Sequence, residues 1–546
     1  MVPATKRNSP IVPTFFCSPK VNGMRGYIPH GTIRLVPNKI HLSVNSESHF
    51  AMVQRRSQRF QFDTLEIDRS ATQPLHRQLE SQLRDAIRAG RLRPGEKLPS
   101  TRGLCRELQI ARNTVAAAYE QLLAEGFLEA EIGSGTRVSQ QLPENMAPAA
   151  SGKQTAPRPL RRRLAQRAGN IERFADWAPR IITAPQPFRP HTPAIDHFPR
   201  DIWQRLADRR LRRLPRLTFM GVDPAGYAPL RSAIAAYLGA SRGLACAAEQ
   251  IVVTSGAQQG LELIARLLLD PGDRFWLEEP GYCPAWHAFT THGAIGAAIP
   301  VDEQGIDVAV GEQLCPAARL AYVTPSVQWP GGMTMSLPRR LQLLDWAERN
   351  EAWIVEDDYV GEFRFAGRPQ QALAAHDPHG SVLYLGTFSK VLFPGLRLGY
   401  LVVPEPLVRS FATSRWLADR HSPVFEQATL TDFIEEGHFA RHLRRMRKLY
   451  AVRQQAMFAA LDAAFGSAID YDRHEAGLHV VVQTRDARQN RRLQRAAHEA
   501  GVEYHAVDQY SAVDHKTPGL ILGFAAFDEA QIAEAVQAWA QRFFSS

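Results

Sequence analysis

Four side chains in the second half of the chain have the types and the order needed to hold a reactive cofactor. Lys390 ends the sequence T-F-S-K, Arg397 follows it in a Pro-Gly turn, and Asp357 and Tyr359 end an apolar run upstream. A lysine amine can form a Schiff base, a carboxylate can keep a pyridine nitrogen protonated, and a phenol can face a ring hydroxyl. Partial burial and the nearby arginine favour loss of the lysine proton. This set predicts a pyridoxal phosphate site, whereas an isolated Ser-Lys pair would indicate only a surface loop.

A small-residue turn further upstream predicts a binding site for the cofactor phosphate. An apolar strand around Val252 leads into the turn S-G-A-Q, which contains Gly256, and an apolar helix is expected over 261–269. Free N–H groups and the positive end of a helix dipole at such a turn attract an anion, although similar turns are often purely structural. Tyr282 follows a Pro-Gly turn and either stacks on the cofactor ring or packs at an edge. Short apolar strands that alternate with helices predict a mostly parallel sheet with ligands at the strand carboxyl ends.

From about residue 188 to its C-terminus, the chain resembles fold-type I aminotransferases. The resemblance implies that Lys390 is the Schiff-base lysine, Asp357 the partner of the pyridinium nitrogen and Tyr359 the phenol near the ring oxygen. The phosphate would be held by Gly256, Ala257, Gln258, Thr387, Ser389 and Arg397. Tyr227, in the sequence G-Y-A-P-L, would reach the phosphate of a second subunit, so a homodimer is implied.

Two departures from the aminotransferase pattern concern the substrate rather than the cofactor. The chain has Trp329 where those enzymes carry the asparagine of Asn-Pro-x-Gly, so a polar contact to the ring is missing. They also carry an arginine for the substrate α-carboxylate near the C-terminus, and the corresponding stretch 519–524 has none. These departures leave cofactor binding intact and argue against efficient transamination.

The region upstream of this domain has the order helix, helix-turn-helix, hairpin. A first helix begins near residue 75, ends at Gly90 and has apolar residues on one face, namely Leu75, Leu79, Leu83, Ala86 and Ile87. Ser100 or Thr101 caps a second helix, a third helix begins at Arg112, and G-S-G at 133–135 marks a hairpin. This order predicts a winged helix-turn-helix whose third helix enters the DNA major groove.

Three short sequences in this region closely resemble the GntR-type DNA-binding domain: P-S-T-R, R-N-T-V and G-S-G. The residues that the resemblance places against DNA are Arg102, Arg112, Asn113, Thr114 and Gly135. The guanidinium fork of arginine can pair two acceptors on guanine or phosphate, but exposed helix charges can also be simply solvated. Ala111 stands where the family often has a capping serine, a loss of about 1 kcal/mol.

A GntR-type reader followed by an aminotransferase-like domain is the arrangement of the MocR/GabR family of bacterial transcription regulators, which the chain resembles from about residue 65 onward. The resemblance implies a homodimer that binds a double-stranded DNA operator and senses a small-molecule amine or amino acid through the cofactor on Lys390. Ligand and DNA must then have different affinities for the same two conformations. Two alternatives stay open: an active pyridoxal phosphate-dependent aminotransferase with an appended DNA-binding domain, and a regulator that senses the cofactor itself. Physiological turnover is not expected, although a weak half-reaction would fit.

The expected fold is multidomain, with a helical winged helix-turn-helix that carries a small β wing and an α/β fold-type I transferase domain. The transferase domain should contain a mostly parallel sheet and a small C-terminal α+β subdomain. We expect a disordered N-terminal extension over 1–60, the DNA-binding domain over 61–138, a flexible linker over 139–180 and the aminotransferase-like domain over 181–546. Because the domain needs little before residue 65, we also expect translation to begin at Met52.

The composition agrees with this interpretation. A chain of 546 residues is too long for one ordinary hydrophobic core, so more than one domain is expected. The hydrophobic content of 45% is ample for globular cores, and the net charge of +10 favours a polyanionic partner. Five cysteines without C-x-x-C spacing predict neither a disulfide framework nor a metal site. No apolar run is long enough for a membrane span, and the polar start lacks a signal-peptide core. A cytoplasmic protein without membrane contact is therefore expected.

Overall fold

The structure is a computed structural model that describes residues 60–131, 134–142, 165–172, 174, 186–367, 370–512 and 518–545. The chain divides into two compact units, Met1–Pro159 and Leu160–Ser546. The expected start at Met52, residues 1–59 of the expected extension, most of the expected linker and Gly133 of the wing lie outside the described residues. The boundaries of the four expected segments stay predictions.

The first unit contains three helices followed by a two-stranded hairpin. These elements are α1 (Leu75–Arg88), α2 (Thr101–Glu107), α3 (Arg112–Ala124), β1 (Leu128–Glu131) and β2 (Gly135–Val138). The strands pair antiparallel, with Leu128 opposite Val138 and Glu131 opposite Gly135. The predicted order of helix, helix-turn-helix and hairpin is therefore confirmed.

The core of the first unit forms where the apolar faces of α1 and α3 meet. Leu79, Leu83 and Ala86 of α1 are fully buried, and Val115 and Tyr119 of α3 belong to the same cluster. The spacing of these residues places them on one side of each helix. Burial of a leucine side chain contributes about 1.5–3 kcal/mol, so the packing of these faces stabilises the unit.

The helix ends of the first unit follow from local hydrogen bonding and backbone geometry. Ser100 caps α2, because its Oγ accepts a hydrogen bond from the Gly103 N–H over 3.1 Å. Gly90 follows α1 with φ +68°, the left-handed conformation expected at that cap. Ala111 precedes α3 without a side-chain cap, so the first N–H groups of α3 have no side chain to satisfy them there.

The second unit alternates strands and helices along much of its length. Its helices are α4 (Gln166–Glu172), α5 (Arg200–Arg213), α6 (Ala228–Arg242), α7 (Ala257–Leu268), α8 (Cys283–Thr291), α9 (Val308–Leu314), α10 (Leu337–Arg349), α11 (Val408–Asp419), α12 (Val424–Glu435), α13 (His438–Phe465), α14 (Ala487–Glu499) and α15 (Glu529–Ser545). Its strands are β3 (Ile251–Thr254), β4 (Arg274–Glu279), β5 (Ile295–Asp302), β6 (Gly305–Ile306), β7 (Ala318–Val323), β8 (Trp353–Asp358), β9 (Val382–Thr387), β10 (Gly399–Val402), β11 (Asp470–Tyr471), β12 (His479–Gln483), β13 (His505–Ala506) and β14 (Leu520–Gly523).

Eight of these strands form one mixed sheet in the order β3-β10-β9-β8-β7-β4-β5-β6. The pairs β9–β8, β8–β7, β7–β4 and β4–β5 are parallel, whereas β10 is antiparallel to both of its neighbours. Buried apolar clusters cover both faces, which is why the central strands read as near-continuous hydrophobic runs. The prediction of a mostly parallel sheet is confirmed.

A smaller antiparallel sheet near the C-terminus has the order β11-β12-β14-β13. Helix α15 packs against both α13 and α14, and the three helices bury residues such as Leu461, Leu493 and Trp539 in the largest apolar cluster. The predicted small C-terminal α+β subdomain is therefore confirmed. Among the described residues, no helix is both long and apolar enough to cross a membrane.

Two elements differ from the sequence-based expectation. Helix α7 begins at Ala257 rather than near residue 261, because Gly256, with φ +98°, turns the chain directly into the helix. The range expected to be a flexible linker contains α4, which contacts α8. Phe174, just after α4, stacks on His287 of α8 with ring centroids 3.7 Å apart.

Candidate functional site

A cavity of about 190 Å³ lies where the central parallel strands end. Asp357 is the penultimate residue of β8, and Lys390 follows the end of β9 by three residues. Parallel strands place their carboxyl ends at one edge of the sheet, where ligands of such folds bind. The cavity is lined by His191, Ala257, Gln258, Tyr282, Tyr322, Thr324, Trp329, Asp357, Tyr359, Thr387, Ser389, Lys390 and Arg397.

Lys390 presents a partly unprotonated amine to this cavity. Burial lowers the pKa of Lys390 to about 8; the charge of Arg397 acts in the same direction and the carboxylate of Asp357 opposes it. Its Nζ donates a hydrogen bond to the backbone oxygen of His191 over 3.2 Å. At pH 7 such a lysine is unprotonated in roughly one molecule in ten, a far larger fraction than for an exposed lysine. The amine is therefore suited to attack on a carbonyl carbon.

Asp357 holds one carboxylate oxygen ready for a further partner. Its Oδ2 accepts a hydrogen bond from the hydroxyl of Tyr322 over 2.7 Å, while its Oδ1 is buried without a hydrogen-bond partner among the described residues. Burial raises the pKa of Asp357 to about 7, and the Tyr322 hydroxyl opposes this rise. A buried acceptor without a partner is costly, so a ligand N–H is expected to complete it.

The turn before α7 and Arg397 form the opposite end of the cavity. Gly256 lies so close to Arg397 that a Cβ atom there would stand 3.1 Å from its Nη2. Arg397 adopts the left-handed conformation (φ +50°, ψ +43°), and its Nη2 donates to the backbone oxygen of Ser255 over 2.9 Å. The N-terminal N–H groups of α7 begin at the same place, at Ala257. Helix N-terminus and guanidinium together suit a phosphate.

Tyrosine rings form much of the remaining wall. The ring of Tyr282 is nearly parallel to that of Tyr322, with 6.3 Å between centroids and 22° between planes. The hydroxyl of Tyr359 is buried without a hydrogen-bond partner among the residues described. These two observations, with Oδ1 of Asp357, fit a planar aromatic ligand that has one ring N–H and one ring oxygen. The residues present therefore fit pyridoxal phosphate.

A buried network holds the wall that carries Trp329. Glu278 accepts hydrogen bonds from both the N–H and the hydroxyl of Thr324, the latter over 2.6 Å. The Thr324 hydroxyl oxygen in turn accepts from the N–H of Trp329 over 3.0 Å. Burial raises the pKa of Glu278 to about 7. These hydrogen bonds fix the backbone of Trp329, whose side chain lines the cavity.

The structure places nine of the residues predicted for the cofactor in one cavity. They are Ala257, Gln258, Tyr282, Asp357, Tyr359, Thr387, Ser389, Lys390 and Arg397. Gly256 lies beside them, whereas Tyr227 precedes α6, donates its backbone N–H to Gln427 and is not part of the lining. The sequence interpretation missed His191 and Tyr322, because neither belongs to a motif and each reaches the cavity only through tertiary packing. The individual roles of the predicted residues stay predictions.

The helical residues predicted to face DNA lie on α2 and in the first turn of α3. Arg102 is exposed on α2, Arg112 and Asn113 are exposed in the first turn of α3, and Thr114 beside them is half-buried. Neither arginine has an ion-pair partner among the described residues, and the first turn of α3 contains no acidic side chain. The unpaired guanidinium group of Arg102, and that of Arg112 at the uncapped N-terminus of α3, suit contacts with phosphate and base edges.

The wing adds two basic residues that the motif did not reveal. Gly135 has φ +92°, and a Cβ atom there would stand 3.1 Å from Cε of Lys97. Lys97 is exposed and forms an isolated β-bridge with Arg137. The backbone conformation therefore favours glycine at position 135, and the side chain of Lys97 lies beside the wing.

Two family profiles match the two units in the expected order. Residues 75–138 match the family of bacterial regulatory proteins of the gntR type, and residues 199–538 match the aminotransferases of class I and II. The probable rhizopine catabolism regulatory protein MocR of Rhizobium meliloti is 39% identical over 88% of this chain and 96% of its own length. The chain belongs to the MocR family. A second relative, the HTH-type transcriptional regulator TauR of Rhodobacter capsulatus, is 34% identical over 71% of this chain and 80% of its own.

Solved structures agree with the fold and the cofactor of the MocR-family chain. The α-aminoadipate aminotransferase LysN of Thermus thermophilus, complexed with N-(5'-phosphopyridoxyl)-L-leucine, is 29% identical with a TM-score of 0.62. The alignment covers 70% of this chain and 97% of that one. The second unit thus has the fold-type I aminotransferase fold, and its cofactor is pyridoxal phosphate. The family assignment favours a transcription regulator over an active aminotransferase with an appended DNA-binding domain.

Proposed function

We propose that the protein is a homodimeric transcription regulator that binds an operator through its winged helix-turn-helix and senses an amine through pyridoxal phosphate held at Lys390. The observation that carries the proposal is that one cavity contains both the amine of Lys390 and a carboxylate oxygen of Asp357 that has no hydrogen-bond partner among the described residues. A regulator must reach the chromosomal DNA that carries its operator, so we place the protein in the cytoplasm. Effector and DNA act on each other only if they favour different conformations of the same protein.

The residues of the cavity divide the work of holding the cofactor. Lys390 supplies the covalent attachment, Asp357 keeps the ring nitrogen protonated, and Tyr359 faces the ring oxygen. The phosphate end comprises Gly256, Ala257, Gln258, Thr387, Ser389 and Arg397, and Tyr282 covers the ring. When bound, pyridoxal phosphate supplies an electrophilic carbon, and a primary amine can replace the lysine amine on that carbon. The lowered pKa of Lys390 makes that exchange accessible near neutral pH.

DNA recognition in this proposal depends on the exposed residues of α2, α3 and the wing. Arg112, Asn113 and Thr114 enter the major groove with the first turn of α3, and Arg102 approaches the same groove from α2. Gly135 and the neighbouring Lys97 bring the wing to a phosphate. Base contacts from arginine provide sequence preference, whereas phosphate contacts provide salt-dependent affinity.

The homodimer is supported by an exposed apolar segment just before Tyr227. Leu217, Phe219 and Met220 expose 79%, 62% and 87% of their surface, which is unusual for three apolar side chains so close together. Tyr227 does not line the cavity of its own chain. A partner subunit that covers the apolar segment would bring Tyr227 to the phosphate of the neighbouring cofactor.

The second candidate, an active aminotransferase with an inherited DNA reader, has less support. The stretch 519–524 contains no arginine for a substrate carboxylate, and the buried Ile521 of β14 lies there instead. Steady turnover of an amino acid with a keto acid at ordinary enzyme rates would favour this candidate. A regulator that senses pyridoxal phosphate itself would change its operator affinity on addition of the cofactor alone.

Operator binding by the purified holoprotein tests the proposal. Duplex DNA from upstream of its own gene is compared with scrambled DNA of the same composition across a salt series. We expect a preference for the native duplex that persists at physiological salt, because base contacts do not depend on counterion release. Equal affinities for both duplexes, falling in parallel with salt, would contradict operator recognition at this site.

A further inference from the structure

The wall of the cavity beside Lys390 is aromatic and uncharged. Trp329 lies with its ring 4.0 Å from that of His191 and at a plane angle of 33°, and it meets Tyr510 edge-on at 5.1 Å. Ile521 of β14 belongs to the same buried cluster as Trp329 and Tyr510. Of these residues, Trp329 and His191 line the cavity beside the amine that an effector must replace, whereas Tyr510 and Ile521 belong to the cluster in which Trp329 is buried.

We propose that the effector sensed at this site is a primary amine with an uncharged body and without a carboxylate. This inference rests on the proposed function, since it names the chemical class of the amine that takes the place of Lys390. The body of the amine would lie against the rings of Trp329 and His191. Amino acids would be selected against, because their carboxylate would be buried without a cation.

The positively charged side chains that line the cavity already have other roles. Among the described lining residues, the side chains that carry a permanent or titrating positive charge at neutral pH are Lys390 and Arg397. Arg397 donates to Ser255 and lies against Gly256 at the phosphate end. Lys390 is the group that the effector replaces. Arg397 is therefore engaged at the phosphate end, and the displaced amine of Lys390 is held by its hydrogen bond to the backbone oxygen of His191.

A third guanidinium near this wall is held by its own carboxylate. Nε of Arg189 lies 2.7 Å from both carboxylate oxygens of Glu503. Arg189 is close enough to His505 for its charge to lower the pKa of that imidazole, but the first cause of that lowering is burial. An acid group on the effector would have to displace Glu503 to use this guanidinium. Arg189 thus does not replace the missing arginine.

The histidines of the wall do not supply positive charge either. Burial lowers the pKa of His191 well below its usual range, and the nearby charge of Lys390 acts in the same direction. Burial also lowers the pKa of His479 to about 4, and its Nε2 is 2.8 Å from the backbone oxygen of Pro330. Nδ1 of His505 is 2.7 Å from the hydroxyl of Tyr510. These imidazoles are neutral near pH 7, so they suit hydroxyl or ether groups rather than anions.

Trp329 offers a hydrogen-bond donor that no described residue uses. Its side chain is 1% exposed, and its Nε1–H is buried without a hydrogen-bond partner among the described residues. A neutral oxygen on the effector would satisfy this donor at no cost in buried charge. The donor, the aromatic faces and the lack of a free cation all favour an uncharged body such as that of an amino alcohol.

Titration of the wild-type holoprotein with matched pairs of amines tests this proposal. The pairs are 2-aminoethanol with L-serine and 2-phenylethylamine with L-phenylalanine, whose members differ by one carboxylate. The readout is the absorption change as the amine replaces Lys390 on the cofactor. Each constant is divided by that of the same amine with free pyridoxal phosphate, which removes intrinsic differences in amine reactivity. We expect the amine without a carboxylate to bind at least about tenfold more tightly in each pair.

The possible results separate this inference from the proposed function. Equal or tighter binding of the amino acids in both pairs would overturn the inference and leave amine sensing intact. Hydroxylamine serves as a control, because it should release the lysine-bound cofactor whatever the specificity of the site. If hydroxylamine acts but no amine or amino acid changes the absorption or the DNA affinity, amine sensing is overturned and the inference falls with it.

Two substitutions at Ile521 test the cause of the preference. Ile521→Arg adds a guanidinium to the cluster that holds Trp329 and should improve the relative affinity for the amino acid of each pair by at least about tenfold. Ile521→Leu keeps the volume without a charge and should keep the wild-type preference. An Ile521→Arg protein that holds the cofactor normally and still prefers the amines would refute the role of the missing cation. If that variant fails to fold, the wild-type titration alone decides the proposal.

Discussion

Tyr322 donates a hydrogen bond from its hydroxyl to Oδ2 of Asp357 over 2.7 Å, and both side chains are buried. The other oxygen of the carboxylate, Oδ1, is buried without a partner among the described residues. Burial alone would favour the protonated acid, and the tyrosine hydroxyl counteracts that tendency. Tyr322 therefore favours the ionised form of Asp357, which suits the proposed pairing of Asp357 with the ring N–H of the cofactor.

Removal of the charge at position 357 should weaken cofactor binding strongly. Hydrogen bonds to charged groups contribute about 1.5–3 kcal/mol, so Asp357→Asn should lower the affinity for pyridoxal phosphate by about 10–100-fold. Tyr322→Phe removes one neutral donor and should lower it by only about 2–10-fold. Fluorescence titration of the apoprotein with the cofactor measures both. An Asp357→Asn protein with wild-type affinity would contradict the assigned role.

Attachment of the cofactor to Lys390 should depend on pH through the pKa of about 8. Below this pH the amine is mostly protonated and cannot attack, so the rate of attachment should rise about tenfold per pH unit and level off above pH 8. Stopped-flow absorption after mixing apoprotein with pyridoxal phosphate gives this profile. Lys390→Ala should show no lysine-bound absorption at any pH. A rate that keeps rising to pH 10 would mean that the amine is not shifted.

Gly256 and Gly272 provide a matched pair for the phosphate end of the cavity. Their φ angles are +98° and +97°, but a Cβ atom at Gly256 would stand 3.1 Å from Arg397, whereas Gly272 has open space around it. Both Gly→Ala substitutions should lower the free energy of unfolding by about 1 kcal/mol through backbone strain. Only Gly256→Ala should also weaken cofactor affinity, because it displaces Arg397. Thermal unfolding of the apoproteins and cofactor titration separate the two effects, and equal cofactor affinities would argue against a phosphate site here.

The sequence was most informative where function depends on neighbours along the chain. The T-F-S-K sequence, the strand end at Asp357 and the turn at Gly256 each combine local geometry with reactive side chains, so motifs alone located most of the cavity. The helices of the first unit were also predictable, since Leu79, Leu83 and Ala86 repeat with helical spacing. Such local patterns can be recognised in the sequence without knowledge of the tertiary structure.

The parts that the sequence did not predict depend on contacts between distant segments. His191 reaches Lys390 from a segment with no regular pattern, and Tyr322 looks like any apolar strand residue until Asp357 lies beside it. Helix α4 lies within a stretch rich in proline, alanine and arginine, where composition favoured a linker. Trp329 in place of an asparagine was visible in the sequence, but the contact of its ring with that of His191 required the folded chain.

The proposed DNA-binding surface predicts that Arg112 contributes to operator affinity, whereas Arg88 does not. Arg112→Ala should weaken operator binding by about 1–3 kcal/mol and relax sequence preference if the guanidinium pairs a base. Arg88→Ala provides the control, because Arg88 is equally exposed but lies in the last turn of α1, over the ring of Phe127. Fluorescence anisotropy across a salt series measures both affinity and slope. Unchanged operator affinity in Arg112→Ala would remove α3 from the proposed interface.

The proposed homodimer predicts that a charge in the exposed apolar segment weakens cofactor binding. Met220→Glu places a carboxylate on a side chain that is 87% exposed, so it should not disturb the subunit but should disfavour burial against a partner. We expect sedimentation velocity to show monomers at concentrations where the wild type is dimeric, together with weaker cofactor binding through loss of the partner's Tyr227. Leu314→Glu, at a 61% exposed position on α9, should leave both properties unchanged. A dimeric Met220→Glu protein with normal cofactor affinity would mean that the subunits meet through another surface.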